Sequence, residues 1–215
     1  MKAVRISHVS DDLSGIELVE MPVPEPGPGL VRVRMLKAAI HPSDLNYISG
    51  EYRQAIERLI WNYGESQAAF DPARTKLHPE LPCIPGGEGV GIVDACGEGV
   101  DADHWMGKRV GLTAGPPGGT WQEYVIAAPQ QLSPVPEALS DEQGALMMPN
   151  PLTALVMSRH VLKAGEVIAE LGKLSATGIF TVPIEAQYPV TEVVEAVSAS
   201  RRPGRTGKIL LDFPN

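Results

Sequence analysis

Two kinds of chemistry can be weighed directly from the reactive residues of this sequence: metal ligation by Cys and His, and phosphate binding by glycine turns. Cys83 and Cys96 are the two cysteines in 215 residues. They are too few for a disulfide framework or a four-thiolate zinc site, so a reducing compartment is expected. A catalytic zinc needs three protein ligands and an open position, yet His41, His78 and His104 fall in separate loop-like stretches without mutual spacing. Surface or local hydrogen-bonding roles are therefore favoured over metal ligation. Gly97-Glu98-Gly99-Val100-Asp101-Ala102 meets a loose G-x-G-x-x-A after an apolar run. Such a turn holds a pyrophosphate only where a helix follows and points its amides at the phosphates. Asp103, His104 and Trp105 give no amphipathic helix before the next strand, so the segment reads as a turn. Gly204 to Lys208 lacks the glycine spacing of a phosphate loop and reads as structural. No intact dinucleotide or metal site is found.

The elements that must position any site are mostly strands. With 22 Gly and 20 Pro, the turn-forming share is above that of an ordinary soluble protein, which suits many short strands better than a helical bundle. Lys2 to Ile6, Ile16 to Met21 and Leu30 to Leu36 alternate, and the Pro and Gly residues between Pro22 and Gly29 predict a hairpin link between the second and third. Gly89 to Cys96, Lys108 to Thr113 and Thr120 to Ala127 continue the pattern. Ser140-Asp141-Glu142-Gln143 reads as a capping box, and Asn150-Pro151 starts a helix through Leu162. A last helix opens at Thr191 with Val193, Val194 and Val197 expected to be buried, followed by a strand from Lys208 to Phe213. Arg53 to Glu80 interrupts the strand pattern as a long insertion of the kind that carries its own short structure or a binding role.

Charge narrows the partners. Against 26 acidic residues stand 18 basic ones, a net charge of −8, which argues against nucleic acid and anionic membrane. No charged start leads into an apolar run and no stretch approaches a span of about 18 residues, so a cytoplasmic location is expected.

Five motifs in order carry a family resemblance: His41-Pro42-Ser43-Asp44-Leu45-Asn46, Gly50-Glu51-Tyr52, Pro85-Gly86-Gly87-Glu88-Gly89-Val90-Gly91, Gly119-Thr120-Trp121 and Asn150-Pro151-Leu152-Thr153-Ala154. Together they resemble the medium-chain dehydrogenase/reductase superfamily, in its zinc-independent branch of 2-enoyl-thioester reductases and quinone oxidoreductases. The resemblance implies a mainly β fold with a few helices, a GroES-like β-barrel catalytic domain, interrupted in complete members by a Rossmann domain that binds NADP. Here the expected cofactor domain is missing. Residues 1–164 and 166–215 are expected to form one GroES-like domain joined near Gly165, where only Lys163-Ala164-Gly165-Glu166 stands at the join. Natural loss and engineered deletion both remain open.

The resemblance also implies roles. Tyr52 matches the catalytic tyrosine, a phenol able to hydrogen-bond a developing enolate oxygen and transfer a proton. Arg53 replaces the glycine that usually follows it, whereas Asn62-Tyr63-Gly64 keeps that glycine, so Tyr63 is a rival. Trp121 matches a substrate-pocket tryptophan, although a Trp that simply packs fits as well. Asn46 and Thr153 match positions that touch the nicotinamide, and Asn46 also faces substrate. Their alternatives are an Asn in a turn and a hydroxyl satisfied within the first turn of a helix. Zinc enzymes of the superfamily place Cys in the segment aligned with His41 to Asp44, and here Cys is absent from it. The implied function is NADPH-dependent reduction of a 2-enoyl thioester, a quinone or a related activated alkene, with this chain expected to bind no NADP and to be inactive alone. A non-catalytic binding module that keeps the substrate cleft, or self-association through the face the cofactor domain would cover, are the alternatives.

Overall fold

Strand β3 (Val31–Ala39) organises the protein, seen in a computed structural model that describes residues 1–51, 80–158, 172–173, 175, 177 and 182–213. One side of β3 pairs antiparallel with β4 (Glu88–Cys96). The other side is shared: Val31 to Arg34 pair with β6 (Tyr124–Ala127), and Lys37 to Ala39 pair with β9 (Lys208–Asp212). Beyond β4 lie β5 (Arg109–Thr113) and β7 (Leu132–Pro134), and beyond β9 lies β8 (Ile184–Pro189), which runs parallel to it. A register shift between Met35 and Lys37 changes the phase of β3. Val31, Val33 and Met35 are buried on one side of the bulge and Ala38 and Ala39 on the other, as an extra residue in one strand of a pair requires.

The first two strands, β1 (Lys2–Ile6) and β2 (Ile16–Glu20), form their own antiparallel pair. The hairpin expected between β2 and β3 is not formed. The proline-rich stretch from Pro22 to Gly29 instead carries the chain from one sheet to the other, because Pro22, Pro24, Pro26 and Pro28, at every second position, cannot donate to a ladder. Single bridges, Ala3 with Gln122 and Ile6 with Cys83, tie β1 to the segments that lead into β6 and β4.

Helices occupy the connections. Among the described residues these are α1 (Pro42–Ser49), the single turn α2 (Ala102–Trp105), the single turn α3 (Asp141–Gly144), α4 (Pro149–Ser158) and α5 (Val193–Ser200). In α3, Ser140 Oγ accepts from the Gln143 amide at 3.4 Å, but the Gln143 side chain does not close the box. Its amide instead donates to the Val182 carbonyl at 3.1 Å and accepts from the Val182 N–H at 3.2 Å, since a long-range backbone pair outbids a local one there. In α5, Val193 and Val197 are buried, together with Val190 before it, while Val194 is 41% exposed. The correction follows from the 100° step of a helix, which turns Val194 away from the i, i+4 face of Val193 and Val197. Burying each such valine stabilises the packing by roughly 1.5 to 3 kcal/mol.

The C-terminal strand and helix belong to the same core as the N-terminal strands. Val193, Val197, Ile209 and Leu211 share one apolar cluster with Val31, Val33 and Trp121. The join near Gly165, the helix end at Leu162 and the insertion from Arg53 to Pro79 lie outside the described residues. Among the described residues no helix is long and apolar enough to cross a membrane.

Candidate functional site

At the end of β3 the chain reaches Ile40 and His41 and turns into α1. His41 caps that helix in extended conformation and Pro42 occupies its first position, where a missing N–H costs nothing. Asp44, one turn in, accepts the His41 N–H on Oδ2 at 2.8 Å, so the helix start is closed by its own carboxylate. Both residues are buried. His41 is thus a buried capping residue rather than a surface one, and its imidazole bonds to a distant strand rather than locally.

Glu88 opens β4 and is 0% exposed. Its Oε2 lies 2.8 Å from His41 Nε2, and its Oε1 accepts the Met148 N–H at 2.6 Å. Its backbone carbonyl accepts the Thr120 hydroxyl at 3.0 Å. The neighbouring Trp121 is 0% exposed, and its indole N–H donates to the Ala39 carbonyl at 3.0 Å. Gly86 makes this convergence possible: its φ is +106°, and a Cβ there would come within 2.4 Å of both Thr120 Oγ1 and Trp121 Cδ1. The motifs around His41, Glu88, Thr120-Trp121 and Met148, distant in sequence, therefore meet in one buried hydrogen-bonded network.

Charge in this network is set by desolvation. Burial pushes the Asp44 carboxyl up to about 6, against the opposing pull of the His41 amide, the His41 imidazole and the amides of Gly86 and Gly87. Burial likewise raises Glu88, offset by the hydrogen bond and charge of His41 and by the Met148 amide. Lys208, half-buried at the start of β9, is lowered first by burial and second by Arg205, while Glu88 and Asp44 favour its charge. Lys208 also borders an open pocket of about 260 Å³ with Val182, Pro183, Arg205, Thr206 and Gly207. Burial thus shifts two carboxylates up and one ammonium down within one network, and Lys208 connects that network to the concave surface, an environment of the kind that tunes acids and bases.

The residues expected to form a site are only partly brought together. Trp121 joins the network beneath α1. Asn46 lies in α1 rather than in a turn, with its amide nitrogen 3.3 Å from the Pro42 carbonyl and 3.2 Å from Glu51 Oε2. Thr153 is exposed on α4, and its hydroxyl donates back to the Pro149 carbonyl at 2.7 Å. Tyr52, Tyr63 and His78 lie outside the described residues. His104 is exposed on α2 and stacks edge-on against Trp105. The segment from Gly97 to Ala102 is a turn with Gly99 at φ +80°, followed only by the four residues of α2. The amides of Thr206 and Gly207 are engaged by Glu185 Oε2 at 2.8 and 3.1 Å. Among the described residues no group of three or more His, Cys, Asp or Glu is arranged to hold a metal.

Glu88 and Asp44 escaped the reading of individual residues. The signal was present for Glu88, a carboxylate set between glycines at the head of an apolar strand. Asp44 had only the N3 position of a helix that the motif itself concealed.

Comparison with known proteins agrees with this geometry. Residues 27–137 match the alcohol dehydrogenase GroES-like domain. A mitochondrial enoyl-acyl-carrier-protein reductase of Bos taurus is 31% identical over 191 residues, covering 86% of this chain and 44% of that protein. The corresponding Caenorhabditis elegans reductase is 31% identical over 166 residues, covering 74% of this chain and 40% of that protein. The chain thus spans less than half the length of these curated relatives. The crystal structure of a human synaptic vesicle membrane protein VAT-1 homolog-like protein superposes with a TM-score of 0.79 at 16% identity, covering 100% of this chain and 99% of that one. A quinone oxidoreductase from Coxiella burnetii gives 0.75 at 15% identity, covering 100% and 99%. The domain match over half of the sequence, with the β3-centred sheet and the ordered motifs that meet around Glu88, makes this chain a member of the medium-chain dehydrogenase/reductase superfamily, built on its GroES-like catalytic domain.

Proposed function

We propose that the chain is the catalytic domain of an NADPH-dependent oxidoreductase acting on 2-enoyl thioesters, quinones or related activated alkenes, and that it lacks the nucleotide-binding domain. The observation that carries the second half is a length. Only 25 residues, Arg159 to Pro183, separate the end of α4 at Ser158 from the start of β8 at Ile184. A single βαβ unit takes roughly 30 or more residues, and a dinucleotide fold takes two such halves. A sequence match over 44% of an enoyl reductase, with a structural alignment that runs over nearly all of a superfamily chain, supports an omission from the interior.

NADPH, when bound in a complete member, supplies the hydride. In this reading Tyr52 hydrogen-bonds the substrate oxygen and delivers a proton, and Asn46 and Thr153 face the nicotinamide. Trp121 supports the site by holding Ala39 and so the start of α1, which suits its full burial. Without the domain that orients the nicotinamide, the proximity advantage of hydride transfer, several kcal/mol or more, is forfeited.

Titration of the chain with NADPH is expected to give no saturable fluorescence or calorimetric signal below millimolar concentration, a binding free energy weaker than about −4 kcal/mol. Supplying a cofactor domain should restore turnover, and Tyr52→Phe should then lower kcat by roughly one to four orders of magnitude. Tight NADPH binding by the chain alone, or unchanged turnover in Tyr52→Phe, would contradict the respective half of the proposal. A second reading, a binding module without catalysis, is favoured by the local satisfaction of Asn46 and Thr153. It requires an acyl thioester or quinone to raise the melting temperature in the absence of NADPH.

A further inference from the structure

The two carboxylate oxygens of Glu88 are spent on two segments that are far apart in sequence. One meets His41, where α1 begins; the other accepts the amide of Met148, where α4 begins its ladder with Leu152 N–H donating to the Met148 carbonyl at 3.0 Å. These are the segments through which the chain leaves the sheet toward Tyr52 and toward the 25 residues before β8. We propose that Glu88 is a proton-operated latch, whose ionised carboxylate holds the starts of α1 and α4 together and whose protonation loosens α4 from the sheet.

The physical basis is the difference between a charged and a neutral acceptor. An N–H bound to a carboxylate makes a shorter and roughly twofold stronger bond than one bound to a neutral oxygen. At full burial no water replaces what is lost. Proton uptake by Glu88 leaves the His41 contact able to re-form, with the acid O–H donating to the imidazole, so the loss falls on Met148. The charged groups acting on Glu88 are His41, which caps α1, and Lys208 from β9, with Asp44 of α1 acting on the same two residues, whereas its β5 partner Thr113 carries no charge. Lys37 of β3 is held by Asp212 at 2.7 Å and Arg109 of β5 by Asp141 at 3.0 Å, so both are directed elsewhere. His41 and Lys208 favour the ionised latch. Asp44 shares His41 and Lys208 with Glu88, so the two carboxylates must be followed separately. The inference is independent of the proposed catalytic role.

The test is an NMR titration of the full chain from pH 8 to pH 4.5, following the Glu88 and Asp44 carboxyl carbons and the Met148 amide proton in the same samples. The Met148 proton is expected at low field at pH 8 and to move upfield with the midpoint of Glu88. Its exchange protection should fall at least tenfold over that range while that of Val90, further along β4, holds. Glu88→Gln is expected to show the acid-form Met148 shift at every pH. A Met148 shift that stays constant, one that follows Asp44 instead, or a Glu88→Gln protein that titrates like the parent would overturn the latch. Should Glu88→Gln fail to fold, the comparison of midpoints in the parent chain decides alone.

Discussion

Replacing Trp121 by Ala is expected to lower the unfolding free energy by roughly 3 to 5 kcal/mol, the range for deleting a fully buried large aromatic. Trp121 has no exposed surface and packs in the cluster that joins β1, β3, β6, α5 and β9. Its loss leaves a cavity that the surrounding strands cannot fill, because β3 is paired along both edges. A second cost comes from the Ala39 carbonyl, which loses the indole donor at 3.0 Å. Trp121→Phe separates the two terms: it keeps much of the volume and removes the donor, so it should cost about 1 to 3 kcal/mol. Urea denaturation of the two variants at pH 7 measures both. A loss below about 1 kcal/mol for Trp121→Ala would show that the ring does not support the start of α1 and would return it to the role of a pocket wall.

Asp44→Asn is expected to gain stability relative to the parent as pH rises, by about 2 kcal/mol between pH 4 and pH 7. The folded-state value near 6 stands above the ordinary 3.8, so between those two values the folded chain binds a proton that the unfolded chain does not. Stability from this group therefore falls as pH rises through that window, and the full penalty is present above about pH 6. Asn cannot ionise and its carbonyl can still accept the His41 N–H, so the variant escapes the penalty. Its amide nitrogen adds a buried donor that costs a pH-independent amount, which shifts the whole difference curve without changing its slope. Chemical denaturation of both proteins at pH 4, 5, 6 and 7 reads the slope directly. A difference that is flat across these values, or that grows on acidification, would mean that Asp44 is ionised in the fold as readily as in the open chain.

Much of the architecture was legible because strands announce themselves locally. The alternation in Lys2 to Ile6 and in Gly89 to Cys96, the Ser140 cap and the valine spacing near the C-terminus each reflect an energy decided within a few residues. The errors arose where a distant partner decided. Gln143 reads as the second half of a capping box, but the backbone of Val182 offered it two hydrogen bonds from 39 positions away. The prolines before β3 read as a hairpin turn, but β3 is paired along both sides with β4, β6 and β9, which left no edge for β2.

The site divides in the same way. Residue types and motif order determined that this chain belongs to the medium-chain dehydrogenase/reductase superfamily with a GroES-like domain, whereas the length of the segment before β8 took its bounds from the observed ends of α4 and β8. Which acid would be buried, and therefore pushed up from its ordinary range, needed the tertiary structure. Asp44 and Glu88 are ordinary carboxylates in sequence, and they differ from the other 24 acidic residues only through the water that folding removes and the amides that folding supplies. Pairing Glu88 with His41 and Met148 spans separations of 47 and 60 residues. No local propensity encodes a contact at that range, because the free energy that fixes it is the burial of the whole sheet.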